Sequence, residues 1–221
     1  MANGVHKVTE DFEGMIASYT GAKYAIAVDN ASNALYLCLC HEKIEGKEIT
    51  IPARTYPSVP CEIIRAGGKV RFKPVIGTTL KGAYPLEGTR VWDSALRFTC
   101  KMFIPNTLMC LSFTGQYKHL KLGKGGAIIT DDYQAMLWLK RARFSGRREC
   151  SYHTDNLDFI GMNCYMSPQV AILGIHLMPQ FYHPITGDPI PNEDKELPYP
   201  DLSKFEIFTK AKRIGGKEDQ W

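Results

Sequence analysis

Residues 111–130, LSFTGQYKHLKLGKGGAIIT, constrain the fold of this chain more than any other segment. They begin as an apolar strand, break at Gly115, present Lys118 and return through a glycine-rich turn to a β-branched run. Burial between two strands disfavours the ammonium form of a lysine and lowers its pKa. A neutral amine is the nucleophile that bonds to an aldehyde cofactor. An exposed lysine on a hairpin loop is the alternative, and this segment alone favours neither.

Size and composition narrow the class of protein. The 221 residues, 44% of them hydrophobic, suffice for one sizeable core or slightly more. The net charge of +4 is mild and spread among acids, so nothing requires a nucleic-acid partner. The seven cysteines form no CxxC pair, which is typical of reduced thiols. No signal peptide or membrane span is visible, so we expect a cytoplasmic protein with no membrane partner and no metal site.

Alternating helix and strand patterns predict an α/β fold with a mostly parallel sheet flanked by helices. The predicted strands are Tyr24–Val28, 48–51, 69–75 and 91–93, besides the two in the lysine segment. The predicted helices are 8–20, 34–39, Ser58–Arg65, 133–144 and 169–177. Beyond Pro179 the chain is proline-rich, with one late helix predicted over 202–213. We therefore expect an α/β domain over residues 1–178 and an irregular tail over 179–221.

Two strand ends in this pattern are candidate binding sites. Residues 29–33, Asp-Asn-Ala-Ser-Asn, join a strand to a helix, where backbone N–H groups and the helix dipole attract an anion. Asn30 or Ser32 also suits an ordinary N-cap, and both roles are compatible. Asp93 ends the run Val-Trp-Asp, and ligands of open α/β sheets bind outside the carboxyl ends of strands. Its alternative role is likewise a helix cap.

In their order along the chain, these segments resemble the DegT/DnrJ/EryC1/StrS family of fold-type-I, pyridoxal-phosphate-dependent enzymes, most of them sugar aminotransferases. The lysine segment carries Ser112-Phe113, then Lys118-His119-Leu120, then Gly-Lys-Gly-Gly at 123–126. One residue is added before Lys118, and Lys124 stands where the family usually has glutamate. The resemblance implies a shortened version of the large domain of these enzymes. A turn-rich loop of about fifteen residues, 76–90, replaces the strand, helix and strand that usually precede the cofactor aspartate.

The resemblance also implies a role for each cofactor contact. Lys118 would form the Schiff base, or internal aldimine, with pyridoxal 5'-phosphate. The remaining cofactor-binding residues would be Ala31 and Ser32 at the phosphate, Tyr56 stacked on the pyridine ring, Asp93 at the ring nitrogen, and Ser112. Core packing is the alternative for Tyr56. Leu96 replaces a family glutamine that contacts the phenolic oxygen of the cofactor.

The segment Gly161-Met-Asn-Cys-Tyr-Met-Ser167 resembles a family motif whose asparagine reaches the cofactor phosphate of a neighbouring subunit. Asn163 would then belong to an active site shared across a homodimer or higher homo-oligomer. Arg54, Arg97 and Arg143 are the candidate substrate contacts. Arg143 lies in a basic cluster at 141–148, and such a cluster is more often a solvated helix end than an anion site.

We expect an aminotransferase that moves an amino group from an amino-acid donor to a keto sugar or a small keto acid. The alternative is a pyridoxal-phosphate-dependent amino-acid decarboxylase or related lyase, in which one of the three arginines holds the substrate carboxylate. A third possibility is a catalytically degenerate relative that keeps the fold without turnover. The two enzymes differ in which bond to the α-carbon is broken, and the sequence does not name the substrate.

Overall fold

The computed structural model describes residues 4–74, 82–115, 118–181 and 199–210. Its α-helices are α1 (Gly4–Thr20), α2 (Ala31–His41), α3 (Ser58–Arg65), α4 (Tyr133–Ala142), α5 (Pro168–Leu177) and α6 (Ile207–Lys210). Its strands are β1 (Tyr24–Val28), β2 (Glu48–Pro52), β3 (Lys69–Lys73), β4 (Tyr84–Pro85), β5 (Val91–Asp93), β6 (Leu108–Ser112) and β7 (Gly126–Thr130). None of the helices in these ranges has both the length and the apolar character needed to cross a membrane.

Side-chain caps set the starts of three helices. The side chain of Asn30 accepts a hydrogen bond from the amide of Asn33 and begins α2. Asp132 begins α4 and Ser167 begins α5 in the same way. Each cap satisfies one of the amides that a helix leaves unpaired in its first turn. Helix α2 therefore begins three residues earlier than its apolar periodicity predicts.

The strands form a five-stranded sheet in the order β1-β7-β6-β5-β4 and a parallel pair, β2-β3. Strand β7 is antiparallel to both of its neighbours, and β5 is parallel to β6, so β1, β5 and β6 run in one direction. Strand β4 runs antiparallel to β5. The predicted α/β class, a sheet flanked by helices, is confirmed. Three of the four pairings in the five-stranded sheet are antiparallel, so this sheet is mixed, in contrast to the mostly parallel sheet expected from the sequence.

The segment that begins at residue 82 joins the two sheets. Strand β4 pairs with β5, and Glu87 exchanges backbone hydrogen bonds of 3.0 and 3.2 Å with Thr50 of β2. The turn-rich loop expected over residues 76–90 therefore contains a short strand, and the expectation of turns alone is wrong for residues 84–85. Buried backbone N–H and C=O groups need hydrogen-bond partners. Residues 84–85 supply partners for β5, and Glu87 supplies them for Thr50 of β2.

The sheet has an apolar core on each of its two faces. Neighbouring residues of a strand point to opposite faces, so Ile128 packs with the α2–α4 side while Ile129 packs with the α1 and α5 side. In β1, Ile26 and Ala27 divide in the same way. The result is a three-layer arrangement, which leaves the strand ends as the accessible edge of the sheet.

The described part of the tail folds back onto the domain. Leu202 is buried, and its amide donates to the carbonyl of Ala53 at 2.8 Å. A 3₁₀ turn at Leu202–Lys204 and the short α6 stand where one continuous helix was predicted over 202–213. Residues 211–213 of that prediction, and Val75 of the predicted third strand, lie outside the described residues.

Candidate active site

Asp93 is the centre of the candidate site, at the carboxyl end of β5. Its side chain is only 6% exposed. One carboxylate oxygen accepts the amide N–H of Ala95 at 2.8 Å, and the other accepts the hydroxyl of Tyr84 at 2.8 Å. Burial raises the pKa of Asp93, while these two donors and the charge of Lys118 act to lower it. The site therefore keeps a carboxylate that is buried but hydrogen-bonded on both oxygens.

Lys118 lies in the loop after β6 and reaches the same place. Its Nζ donates to the carbonyl oxygen of Ala95, two residues beyond Asp93, at 2.6 Å. Burial lowers the pKa of Lys118, and the negative charge of Asp93 opposes that effect. The side chain is half-buried, so the structure favours the desolvated lysine over the exposed one. A lowered pKa increases the fraction of neutral, nucleophilic amine.

The start of α2 adjoins the glycine turn that follows this lysine. Because the Asn30 side chain caps the amide of Asn33, the amides of Ala31 and Ser32 are those left without a partner inside the helix. A Cβ atom on Gly126 would lie 2.7 Å from the Ala31 nitrogen. Only glycine allows so close an approach of the turn to the helix start, and an anion at this point would meet helix amides.

Tyr56 lies at the surface beside the C-terminal segment. Its side chain is 55% exposed, so core packing does not describe it. Its ring meets that of Tyr199 edge-on, with centroids 5.7 Å apart. Burial and then the charge of Asp93 raise the pKa of Tyr199, which places Tyr199 within electrostatic reach of Asp93. Tyr56 and Tyr199 thus line one side of the candidate site.

Three predicted contacts lie at its margins. Ser112 ends β6, and its hydroxyl accepts the Thr114 amide at 3.4 Å. Arg54 is exposed and donates to the carbonyl of Tyr199 at 3.1 Å. Arg97 is half-buried in the turn after Asp93, its amide bonded to the Ser94 carbonyl at 3.1 Å. Arg54 therefore anchors the C-terminal segment, while Arg97 is close to Asp93 along the chain.

Arg143 occupies a structural position, in contrast to the substrate contact expected from the sequence. Its side chain is fully buried and forms ion pairs with Glu13 and, at 3.0 Å, with Glu149. It also donates to the carbonyl of Ala27 at 2.6 Å and lies 4.7 Å from the ring centroid of Tyr165. A buried guanidinium needs such partners to offset its desolvation, and these partners tie α1, β1 and the end of α4 together.

Asn163 is exposed and forms an isolated antiparallel bridge with Phe144. Neither Tyr84 nor Tyr199 was predicted as a site residue. Tyr84 lies in a stretch that reads only as turns, and Tyr199 lies in a proline-rich tail. The side-chain pattern around each carried no signal, because Tyr84 reaches Asp93 through the pairing of a two-residue strand and Tyr199 approaches it only through the fold of the tail.

Comparisons with known proteins bear on the family and the fold of the chain. Residues 3–81 match the sequence profile of the DegT/DnrJ/EryC1/StrS aminotransferase family. The predicted family resemblance is confirmed. A search of the curated proteins gave no match. The profile covers the segment that contains α1 to β3, including the candidate anion site at the start of α2.

Solved structures show the same fold. The chain is similar to an aminotransferase from Psychrobacter cryohalolentis, with a TM-score of 0.64, 19% identity, and coverage of 79% of this chain and 56% of that one. The chain is also similar to a protein assigned as a sugar aminotransferase from Streptococcus pneumoniae, in its PLP form, with a TM-score of 0.64 and 17% identity. That match covers 79% of this chain and 60% of the other. A third similar structure is a GDP-4-keto-6-deoxymannose-3-dehydratase with bound GDP-perosamine, with a TM-score of 0.63 and 17% identity. That match covers 79% of this chain and 62% of the other. The chain thus spans less than two thirds of each of these neighbours.

One of these neighbours was solved in its PLP form, and the donor set of the present chain fits pyridoxal phosphate. The ring nitrogen needs a buried carboxylate, which Asp93 supplies. The aldehyde needs a desolvated amine, which Lys118 supplies. The phosphate needs helix amides, for which Ala31 and Ser32 are placed. These residues would hold the cofactor, with Tyr56 available at its face.

Proposed function

We propose that this chain is a pyridoxal-phosphate-dependent enzyme that bonds the cofactor through Lys118. The observation that carries the proposal is the placement of a desolvated lysine amine within electrostatic reach of a buried carboxylate, Asp93, at the strand ends. Perturbed groups of opposite charge gathered in this way are a sign of a functional site. When bound, pyridoxal phosphate supplies an electron sink for charge that develops at the substrate α-carbon.

The residues of the chain divide the remaining work. Lys118 Nζ, in its neutral form, would hold the aldehyde carbon with loss of water. Once the amino group of the substrate has displaced it, the same Nζ would take the proton from the α-carbon. Asp93 keeps the ring nitrogen protonated, because a nearby carboxylate favours the positive charge. The start of α2 binds the phosphate, and Tyr56 covers one face of the ring. Arg97, next to the Asp93 strand end, is the candidate contact for a substrate carboxylate.

The reaction that we propose is amino transfer from an amino acid to a keto sugar or a small keto acid. The family matched by residues 3–81 is described as an aminotransferase family, and two of the compared structures carry that description. The alternative is a lyase, including the amino-acid decarboxylase expected from the sequence. A dehydratase among the structural neighbours supports keeping a lyase as the second candidate.

We further propose that two copies of the chain share their active sites. Asn163 is exposed, and the same loop exposes Leu157 (64%) and Ile160 (98%). Exposed apolar residues near Asn163, which is predicted to reach the cofactor of a neighbouring subunit, suit a contact with a second copy of the chain. Cytoplasmic location, and the division into a domain at 1–178 and a tail at 179–221, stay predictions.

The absorbance spectrum of the purified protein with added pyridoxal phosphate tests the proposal. The wild type and a Lys121→Ala control, which changes an exposed lysine of the same loop, should both show the band of the lysine-bound cofactor. Lys118→Ala should lack it. A wild type without the band, or a Lys118→Ala protein that keeps it, would contradict the proposal.

A panel of amino acids then separates the reactions. Formation of a keto acid, dependent on a keto acceptor, identifies amino transfer. Carbon dioxide released from an amino acid without an acceptor identifies decarboxylation. If the cofactor binds through Lys118 and neither product forms with any amino acid, the chain is the degenerate relative.

A further inference from the structure

Tyr84 connects the candidate aspartate to a second strand of the sheet. It lies directly opposite Asp93 in the β4–β5 ladder. Its hydroxyl is 2.8 Å from a carboxylate oxygen of Asp93 and is also hydrogen-bonded to the hydroxyl of Thr55, just beyond β2. Thr55 is buried. The three side chains therefore form a continuous polar chain through the segment that joins the two sheets.

The direction of the hydrogen bonds follows from the chemistry of the groups. An ionised carboxylate only accepts, so the proton of the Tyr84 hydroxyl points to Asp93. The Tyr84 oxygen then accepts from Thr55. Burial, followed by the charge of Asp93, raises the pKa of Tyr84 well above its usual value, so the hydroxyl keeps its proton. Asp93 receives Tyr84 on one oxygen and the Ala95 amide on the other, and each oxygen keeps a lone pair for a further donor.

We propose that Tyr84 is a positioning residue of the cofactor site, whose hydroxyl, held by Thr55, fixes the Asp93 carboxylate in its ionised form and in one orientation. The inference deepens the proposed function and rests on it, because the ring nitrogen of the cofactor is the donor that the free lone pairs of Asp93 would receive. Tyr84 touches the carboxylate and acts through it.

The groups that face Asp93 decide how its titration responds. They come from four elements: Tyr84 on β4, Cys110 on β6, Lys118 in the following loop and Tyr199 in the C-terminal segment. Lys118 and the donors favour the carboxylate, whereas burial disfavours it. Loss of the Tyr84 hydroxyl removes one donor to the charged form, so Asp93 should take up a proton at higher pH.

The first measurement needs no cofactor. Carboxyl ¹³C NMR of the full-length apoprotein follows the titration of Asp93, whose signal is the one missing in Asp93→Asn. In Tyr84→Phe the midpoint should rise by about one pH unit, since a hydrogen bond to a charged group accounts for a shift of that order. Thr55→Val should raise it by a smaller amount and Thr55→Ser should restore it. Tyr24→Phe, which removes a hydroxyl at the opposite edge of the sheet, should leave it unchanged.

The second measurement is the dissociation constant for pyridoxal phosphate between pH 5 and 8.5, with thermal melts to check folding. Tyr84→Phe should move the acid limb of binding upward by about one pH unit, which is about tenfold weaker binding on that limb. An unmoved Asp93 midpoint in Tyr84→Phe overturns the inference even if the cofactor binds. If Tyr84→Phe moves the midpoint but neither the wild type nor any variant binds the cofactor, the proposed function fails, and with it the cofactor role of Tyr84.

Discussion

Single residues at the candidate site are held in states that cost stability. Burial raises the pKa of Asp93, and a raised pKa of an acid means that its ionised form is less stable in the folded chain than in the unfolded chain. This cost is absent at a pH below the pKa that Asp93 has in the unfolded chain, and it is fully present above the pKa that Asp93 has in the folded chain. At neutral pH the Asp93 carboxylate therefore lowers the stability of the apoprotein, which is expected where a group is retained for binding.

Asp93→Asn tests this opposition between stability and binding. An asparagine can still accept from the Ala95 amide and donate to Tyr84, so the melting temperature of the apoprotein at pH 7 should be unchanged or higher. Affinity for pyridoxal phosphate should fall at least tenfold, because the ring nitrogen loses its charged partner. Calorimetry and a binding titration measure the two effects. A large fall in melting temperature would show that Asp93 serves the fold.

Glu42 shows the opposite behaviour far from the site. The His41 ring, 3.5 Å away, and the Arg90 guanidinium, which donates at 3.0 and 3.1 Å, lower its pKa to about 2. At 3.5 Å the histidine is a poor hydrogen-bond partner, so we attribute most of the effect to Arg90. Arg90 also pairs with Asp132 at 3.0 Å and thereby links the end of α2 to the start of α4.

Glu42→Gln should therefore lower the free energy of unfolding at pH 7 by about 1–2 kcal/mol, allowing for solvent screening. Because the folded pKa is depressed, this stability is present above pH 4.5 and is lost as pH falls towards about 2. The difference between wild type and variant should shrink over that range in urea melts. Glu45→Gln, at an exposed carboxylate on the same loop, is the control, and an equal loss there would contradict the assignment.

At the level of elements, the glycine turn before β7 determines how the lysine loop meets α2. A Cβ on Gly126 would lie 2.7 Å from the Ala31 nitrogen and 2.8 Å from the Leu111 carbonyl oxygen, and both obstacles are backbone. Gly126→Ala should cost about 2 kcal/mol through forced displacement and should weaken phosphate binding. Gly14→Ala in α1, where no described atom lies within 4 Å of the added carbon, should be neutral or slightly stabilising. Denaturant melts and a binding titration compare the two.

The elements with strong local patterns were predictable from the sequence. The bounds of β1 and α3 agree with the predictions at Tyr24–Val28 and Ser58–Arg65, because a short apolar run marks β1 and the glycines at 67 and 68 mark the end of α3. Strand β4 was not predictable, since two residues carry no periodicity and pair only because β5 leaves an open edge. The same reason hid Tyr84, and the partners of Arg143 hid its structural role, because Glu13 lies 130 residues away along the chain.

For the whole molecule, the main consequence concerns the C-terminal segment. An irregular tail of this kind can complete the site of a neighbouring subunit or cover its own. Residues 199–210 lie against their own chain. The backbone of Asp201 forms an isolated β-bridge with that of Arg54, and the ring of Phe208 meets that of Phe72 edge-on. Tyr199 thereby reaches the Asp93 cluster from within the same subunit. This part of the tail therefore lies on its own subunit, with Tyr199 within electrostatic reach of Asp93.

The partner subunit would then approach from the side of Asn163. Ile160 is 98% exposed in the loop that carries Asn163, and burying it against a second copy would remove that apolar surface from water. Ile160→Glu should therefore shift the solution mass measured by light scattering towards the monomer, and should weaken cofactor binding if Asn163 contributes to the neighbouring site. Leu137→Glu, at a partly exposed apolar position of α4, should leave both unchanged. A wild-type protein that is monomeric at micromolar concentration, yet binds pyridoxal phosphate through Lys118, would show that each chain holds a complete site without Asn163 of a partner.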